Sequence, residues 1–171
     1  MEDQLIVRLE ANLAVLNAQL NNRSKEEYFY KAEENSWSTI QVLSHLVDVE
    51  IFDFRARLFS IVENPSRDLP LFDPLKAMAN KNFIDEDYNE LLDQFMNERL
   101  ISVAKLRTIA KSDWQKVYEH PKLGPLTPRF FLTNWVAHDY IHIQQINRLA
   151  YQFLKSSTIE MLDYAGTFRL A

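Results

Sequence analysis

Only two glycines, Gly124 and Gly166, interrupt a chain of 171 residues, and its six prolines stay out of the interiors of four long periodic stretches. A fold of strands and tight turns needs flexible or fixed-φ residues at each reversal, so this scarcity of chain punctuation favours helices. Apolar residues make up 47% of the chain and charged residues 25%, which supplies a core and rules out a disordered segment. At this length one core suffices, and residues 1–171 read as a single all-α domain.

The first stretch runs from about Asp3 to Asn21, with Leu5, Leu9, Leu13 (or Leu16) and Leu20 in a helical stripe. The second opens at Asn35-Ser36-Trp37-Ser38, where the serines offer an N-cap, and continues to about Val62 before Asn64-Pro65 stops it. The third covers about Asp87 to Ala110 and carries Leu92, Phe95, Val103 and Leu106. The fourth begins at Thr127-Pro128, a cap followed by proline at the first helical position, and extends to about Leu154. Between the second and third, Pro65 to Asp85 reads as a loop with one short helix near Leu75 to Asn80. Such a connection is long enough to cross one end of a bundle and act as a lid. Lys111 to Leu126 reads as irregular, and the tail from Ser156 as a short helix or packing arm. The expected architecture is a four-helix bundle with a long crossover connection.

The formal charge of −5 argues against a nonspecific nucleic-acid binder, which needs a basic face. No Lys/Arg run suggests a membrane-surface patch, and no segment reaches the roughly 20 apolar residues that cross a bilayer. The acidic start, MEDQLIVRLEANL, lacks the features of a secretory signal, so the expected location is cytoplasmic. With no cysteine there is no disulfide, thiolate zinc site or cysteine nucleophile. Phosphate-loop, dinucleotide, serine-hydrolase and H-E-x-x-H signatures are also missing.

Histidine placement carries the chemical signal. At 100° per residue, His138 and His142 share a face of the fourth helix with Phe131, Trp135, Gln145 and Leu149, opposite Arg129, Tyr140 and Asn147. On the second helix His45 shares a face with Gln41, Val42, Val49, Phe52, Ala56 and Phe59. Two imidazoles one turn apart, joined by a third from a neighbouring helix, make a three-nitrogen set for a divalent metal with at least one position left open. An ion in such a site lowers the pKa of bound water or polarises a carbonyl. From spacing alone, a metal site and three hydrogen-bonded core histidines stand as alternatives.

Two blocks carry a resemblance. The run from Asn35-Ser-Trp-Ser through His45-Leu-Val-Asp-Val-Glu50, and Ala137-His138-Asp-Tyr-Ile-His142-Ile-Gln-Gln145-Ile, resemble the "W-S…H-L…E" and "H-D-x-x-H-x-x-Q-I" signatures of the DinB/YfiT-like superfamily. The order and separation of the blocks match that family's first and last ligand helices. The resemblance implies a four-helix bundle, commonly dimeric, with His45, His138 and His142 holding a divalent ion such as nickel or zinc. It also implies an activity among metal-dependent hydrolases, thiol-dependent S-transferases or an isomerase, without selecting one.

Neighbouring polar residues are candidates for supporting roles. Asp48 could hold an imidazole N–H or bind the ion, against a plain helix-flank charge. Gln145 could hydrogen-bond near a metal-held water or cap a polar pocket. Glu50 projects about 140° from His45 and reads as a structural ion pair or interface contact. Arg99 lies within the apolar stripe of the third helix, where a buried guanidinium requires an anion such as Asp48, another acid, or a substrate carboxylate or phosphate. The simpler expectation is that its stem carries the charge out to the bundle's end. Trp37 reads as a packing staple and Trp135 as core or pocket lining. His120 reads as a surface residue unless its loop folds over the site, where it would shuttle protons.

The expected function is a metal-dependent hydrolase or thiol-dependent transferase acting on a small molecule, with a low-molecular-weight thiol as the second substrate in the latter case. A homodimer is expected. The alternatives are a noncatalytic small-ligand or stress-response module and a metal-stabilised structural dimer.

Overall fold

The structure, a computed structural model, describes residues 1–166 and 168. It contains α1 (Glu2–Leu20), α2 (Lys25–Phe29), α3 (Thr39–Asp48), a π-helical segment (Val49–Arg55), α4 (Ala56–Glu63), α5 (Pro74–Ala79), α6 (Tyr88–Leu106) and α7 (Pro128–Ser157). A short hairpin, β1 (Tyr118–His120) with β2 (Gly124–Leu126), precedes α7. α3, the π segment and α4 form one continuous rod, so four long helices build the bundle. No helix among the described residues is long and apolar enough to cross a membrane.

Local sequence explains the helix starts. Asp87 accepts from the Asn89 and Glu90 N–H groups to open α6, and Asp73 accepts from Leu75 and Lys76 to open α5. Thr127 caps α7 by accepting from Phe130, with Pro128 at the first helical position. Gln41 Oε1 accepts from the Ser38 N–H at the start of α3.

Cross-helix pairs fix the directions. Glu2 meets Arg129, Asn12 meets Asp139 and Gln19 meets Asn147, so α1 and α7 run parallel. Tyr88 donates to the Leu20 carbonyl and Arg99 to that of Leu9, so α6 runs against α1. The α3–α4 rod lies parallel to α6 and antiparallel to α7, giving an up-down-down-up trace. Consecutive parallel helices require the chain to return along the bundle, and residues 64–87 do this as the expected crossover. That segment is tied to the rod by Arg57, which donates to the Pro70 and Phe72 carbonyls, and by Lys81.

Several expectations are corrected. α2 was not foreseen, α6 ends at Leu106 rather than near Ala110, and α7 continues to Ser157. Lys111 to Leu126 is not wholly irregular, because Gly124 at φ +74° permits the hairpin reversal. The tail holds one 3₁₀ turn, Asp163–Ala165, and its expected packing beyond Gly166 falls largely outside the described residues.

The largest correction lies in the α3–α4 rod. On an unbroken α-helix Phe52 falls about 20° from His45 and Phe54 about 180° away. The structure reverses this: Phe52 is 52% exposed, while the Phe54 ring stacks on Trp135 and meets His138. The i→i+5 bonds of Val49–Arg55 insert the equivalent of one residue, which swings Phe54 to about 80° from His45.

The core is divided. One apolar cluster gathers Leu13, Leu16, Leu43, Leu46, Phe95 and Ile146; the other gathers Leu9, Leu58, Ile61, Leu106, Leu132 and Trp135. A layer of buried charge lies between them.

Candidate metal centre

α3 presents His45 and α7 presents His138 and His142, and the three rings meet where the antiparallel rods cross. His138 Nε2 stands 3.2 Å from His45 Nε2 and 3.1 Å from His142 Nε2. One ligand atom from each lies within 4.8 Å of the others. His45 and His142 are buried and His138 is half-buried. Burial, reinforced by His142 and Lys81, lowers the His45 pKa to about 4. Burial, with the neighbouring imidazoles and Arg99, lowers that of His138 to about 3. Burial also lowers His142, opposed by its hydrogen bond to Gln145 and by Asp139. The rings are therefore neutral at pH 7, the state in which imidazole offers a lone pair.

These residues fit a cation. The His142 Nδ1–H donates to Gln145 Oε1 at 2.8 Å, so its Nε2 faces the cluster unprotonated. A single proton on His138 Nε2 can satisfy one neighbour, never both. His45 Nδ1 and His138 Nδ1 are buried without hydrogen-bond partners among the described residues. Four-coordinate zinc with Zn–N near 2.0–2.1 Å spaces its nitrogens about 3.3 Å apart, close to the separations around His138.

The polar candidates take different positions. Gln145 orients His142, the kind of contact that fixes a ligand tautomer. Asp48 does not hold an imidazole: Lys81 Nζ lies 2.9 and 2.8 Å from its two oxygens and also donates to Ser44 Oγ at 2.7 Å. It is 7% exposed, an ion-paired anchor for the crossover and not a solvated flank. His120 remains in the hairpin, where Nδ1 accepts from the Lys122 and Leu123 N–H groups.

Arg99 overturns the expectation that its charge reaches the bundle's end, because it is 1% exposed. Its Nη1 and Nη2 donate to Asp139 at 2.7 and 2.8 Å, Nε donates to Glu50 at 2.9 Å, and Nη1 also reaches the Leu9 carbonyl. Asn12 Nδ2 and Trp135 Nε1 donate to Asp139 and Glu50 respectively. Burial alone would lower the Arg99 pKa, but Glu50 and Asp139 outweigh it and raise the value; burial pushes Glu50 up against the pull of Arg99. All three guanidinium nitrogens thus donate inside the protein, and the buried group is not available to a substrate anion. Glu50 is the structural ion pair its angular position implied, bonded to Arg99 on α6 and to Trp135 on α7.

Sequence reasoning missed Asp139, Asn12, Lys81 and Phe54. Asp139 follows His138 directly, and its position about 100° around α7 reads as a helix flank when only one core face is assumed. In a bundle each helix has two packed neighbours, and that flank points to α1 and α6.

Parallel outer helices, a long crossover and three converging imidazoles define a four-helix bundle with a candidate metal centre between its second and last rods. The chain belongs to the DinB superfamily, whose sequence profile matches residues 8–146. YfiT from Bacillus subtilis, described as a probable metal-dependent hydrolase with an unusual four-helix bundle topology, superposes with a TM-score of 0.78 at 20% identity, covering 89% of this chain and 87% of that one. TT2238, a four-helix bundle protein, gives 0.57 at 22% identity, with coverage of 86% and 99%. No curated protein matches the chain.

Proposed function

We propose that the protein is a divalent-metal-dependent enzyme acting on a small molecule, with His45, His138 and His142 as ligands and nickel or zinc as the ion. The observation that carries this reading is the convergence of three imidazoles, with His138 Nε2 3.2 and 3.1 Å from those of His45 and His142 and one ligand atom of each within 4.8 Å of the others. When bound, a divalent ion with an open position supplies an activated water or a polarised carbonyl. The protein's own contribution is orientation: Gln145 fixes the His142 ring, and the Arg99–Asp139 pair holds the α7 backbone beside His138. Hydrolysis is the favoured reaction, supported by the likeness to YfiT. A thiol-dependent transfer is the second reading; the chain has no cysteine, so the thiol would come from a low-molecular-weight substrate.

The test is metal analysis of protein purified without added ions, followed by titration with Ni²⁺ and Zn²⁺. One ion per chain is expected, with loss of binding in His138→Ala. Amide, ester and thiol-conjugation substrates are then screened with and without the ion. Absence of stoichiometric binding in the native protein would overturn the reading. Binding without turnover on any substrate would leave a metal-stabilised structural protein in its place.

A further inference from the structure

We propose that Trp37 and Phe54 flank the approach to the imidazole cluster, and that they select a molecule carrying a flat apolar group beside its reacting atoms. The proposal rests on the metal-centre reading and names the substrate class of that site.

The two rings flank the cluster along the α3–α4 rod. Trp37 lies 5.1 Å from the His45 ring and Phe54 lies 5.2 Å from the His138 ring, edge-on. Both are half-buried, so each keeps part of its surface open after packing on a histidine. Trp135 backs Phe54 in a near-parallel stack, with centroids 5.6 Å apart, which restricts the Phe54 ring to one orientation.

Each ring is set by a backbone feature. Trp37 immediately precedes the α3 cap, where the Ser38 N–H to Gln41 contact fixes the chain's approach. Phe54 depends on the π segment. Regular α geometry would leave it on the side of the rod opposite His45, and the inserted residue brings it to the cluster. A π segment is rare within α-helices and recurs at functional sites. Here the re-aimed side chain is a phenyl ring.

Two cations near the cluster are Lys81, on the His45 side, and Arg99, on the His138 side. Lys81 is paired with Asp48, and Arg99 with Asp139 and Glu50. Both charges are engaged with their own partners, and the groups beside the imidazoles are the Gln145 amide and the Trp37 and Phe54 rings.

The experiment uses Zn²⁺-loaded full-length protein and two probes that anchor to a metal through the same group, acetohydroxamate and benzohydroxamate. Calorimetric titration is expected to give a benzohydroxamate Kd about tenfold or more below that of acetohydroxamate, the scale of burying one phenyl ring. In Trp37→Ala and Phe54→Ala that ratio should fall toward one, while the Zn²⁺ affinity stays within about twofold, since neither residue is a ligand. Trp37→Phe, which keeps an aromatic face, should retain most of the preference. If Phe54→Ala does not fold, Phe54→Leu carries the same expectation with a smaller drop. A native protein that binds both probes equally, or variants that keep the full preference, would overturn the proposal and leave the metal centre standing. Failure of the native protein to bind Zn²⁺ would remove both.

Discussion

Arg99 carries a charge into the centre of the bundle, and each of its three guanidinium nitrogens finds an acceptor there. Breaking such a buried pair leaves an uncompensated ion, which typically costs 3–5 kcal/mol. Arg99→Met, which leaves Glu50 and Asp139 facing each other, should therefore lower stability by about that amount in urea unfolding. Adding Glu50→Gln and Asp139→Asn to it should recover much of the loss. Gln145→Leu removes the acceptor that orients His142 and should weaken metal binding roughly 10–100-fold, measured by calorimetry. The histidines also set a pH dependence in the metal-free protein. Unfolded histidine titrates near 6.5, whereas folded His45 and His138 titrate near 4 and 3. Between those values the unfolded chain holds more protons, so the neutral rings stabilise the fold fully above the unfolded value and progressively less as pH falls toward 3. Urea midpoints should fall from pH 7.5 to pH 5, and by less in His138→Gln. The histidines were legible in the sequence because i, i+4 spacing on an apolar stripe survives any reasonable packing. Asp139 and Asn12 were not, since their value lies in a partner on another helix that no single-helix projection reveals.

At the scale of elements, the four long helices could be read because apolar periodicity, the Thr127-Pro128 start and the Asn64-Pro65 stop agree with one another. Register within the second rod could not. Its projection is correct as far as Asp48 and fails beyond it, because no residue of Val-Glu-Ile-Phe-Asp-Phe-Arg marks an i→i+5 turn. The turn sets Phe54 against Trp135 on another helix, a contact that a projection of local spacing does not show. The crossover depends similarly on a contact hidden from the sequence, the reach of Lys81 to Asp48 and Ser44. Lys81→Met should leave the Asp48 carboxylate unpaired and loosen residues 64–87. Limited proteolysis should then cut that connection faster than in the native chain, with α6 and α7 still protected. Equal cutting rates would show that the lysine does not hold the connection down.

At the scale of the molecule, an ion held by His45 and His138 would join positions 93 residues apart, on two rods that enter the bundle from opposite halves of the sequence. Ligand binding to the folded state alone stabilises by about 2.7 kcal/mol at a hundredfold excess over Kd. For a domain of this size that corresponds to a rise of roughly 5–10 °C in Tm. Ni²⁺ or Zn²⁺ should produce such a rise in calorimetry, a chelator should reverse it, and His138→Ala should abolish it.

The charged layer between the two oily clusters has its own consequence. It works as a rivet between two separately insulated compartments, so a disturbance that floods one need not wet the other. Amide exchange should therefore sort into two tiers along the same helices. Asp139 sits at the seam, where a loosening of either compartment would first be felt by the histidine beside it.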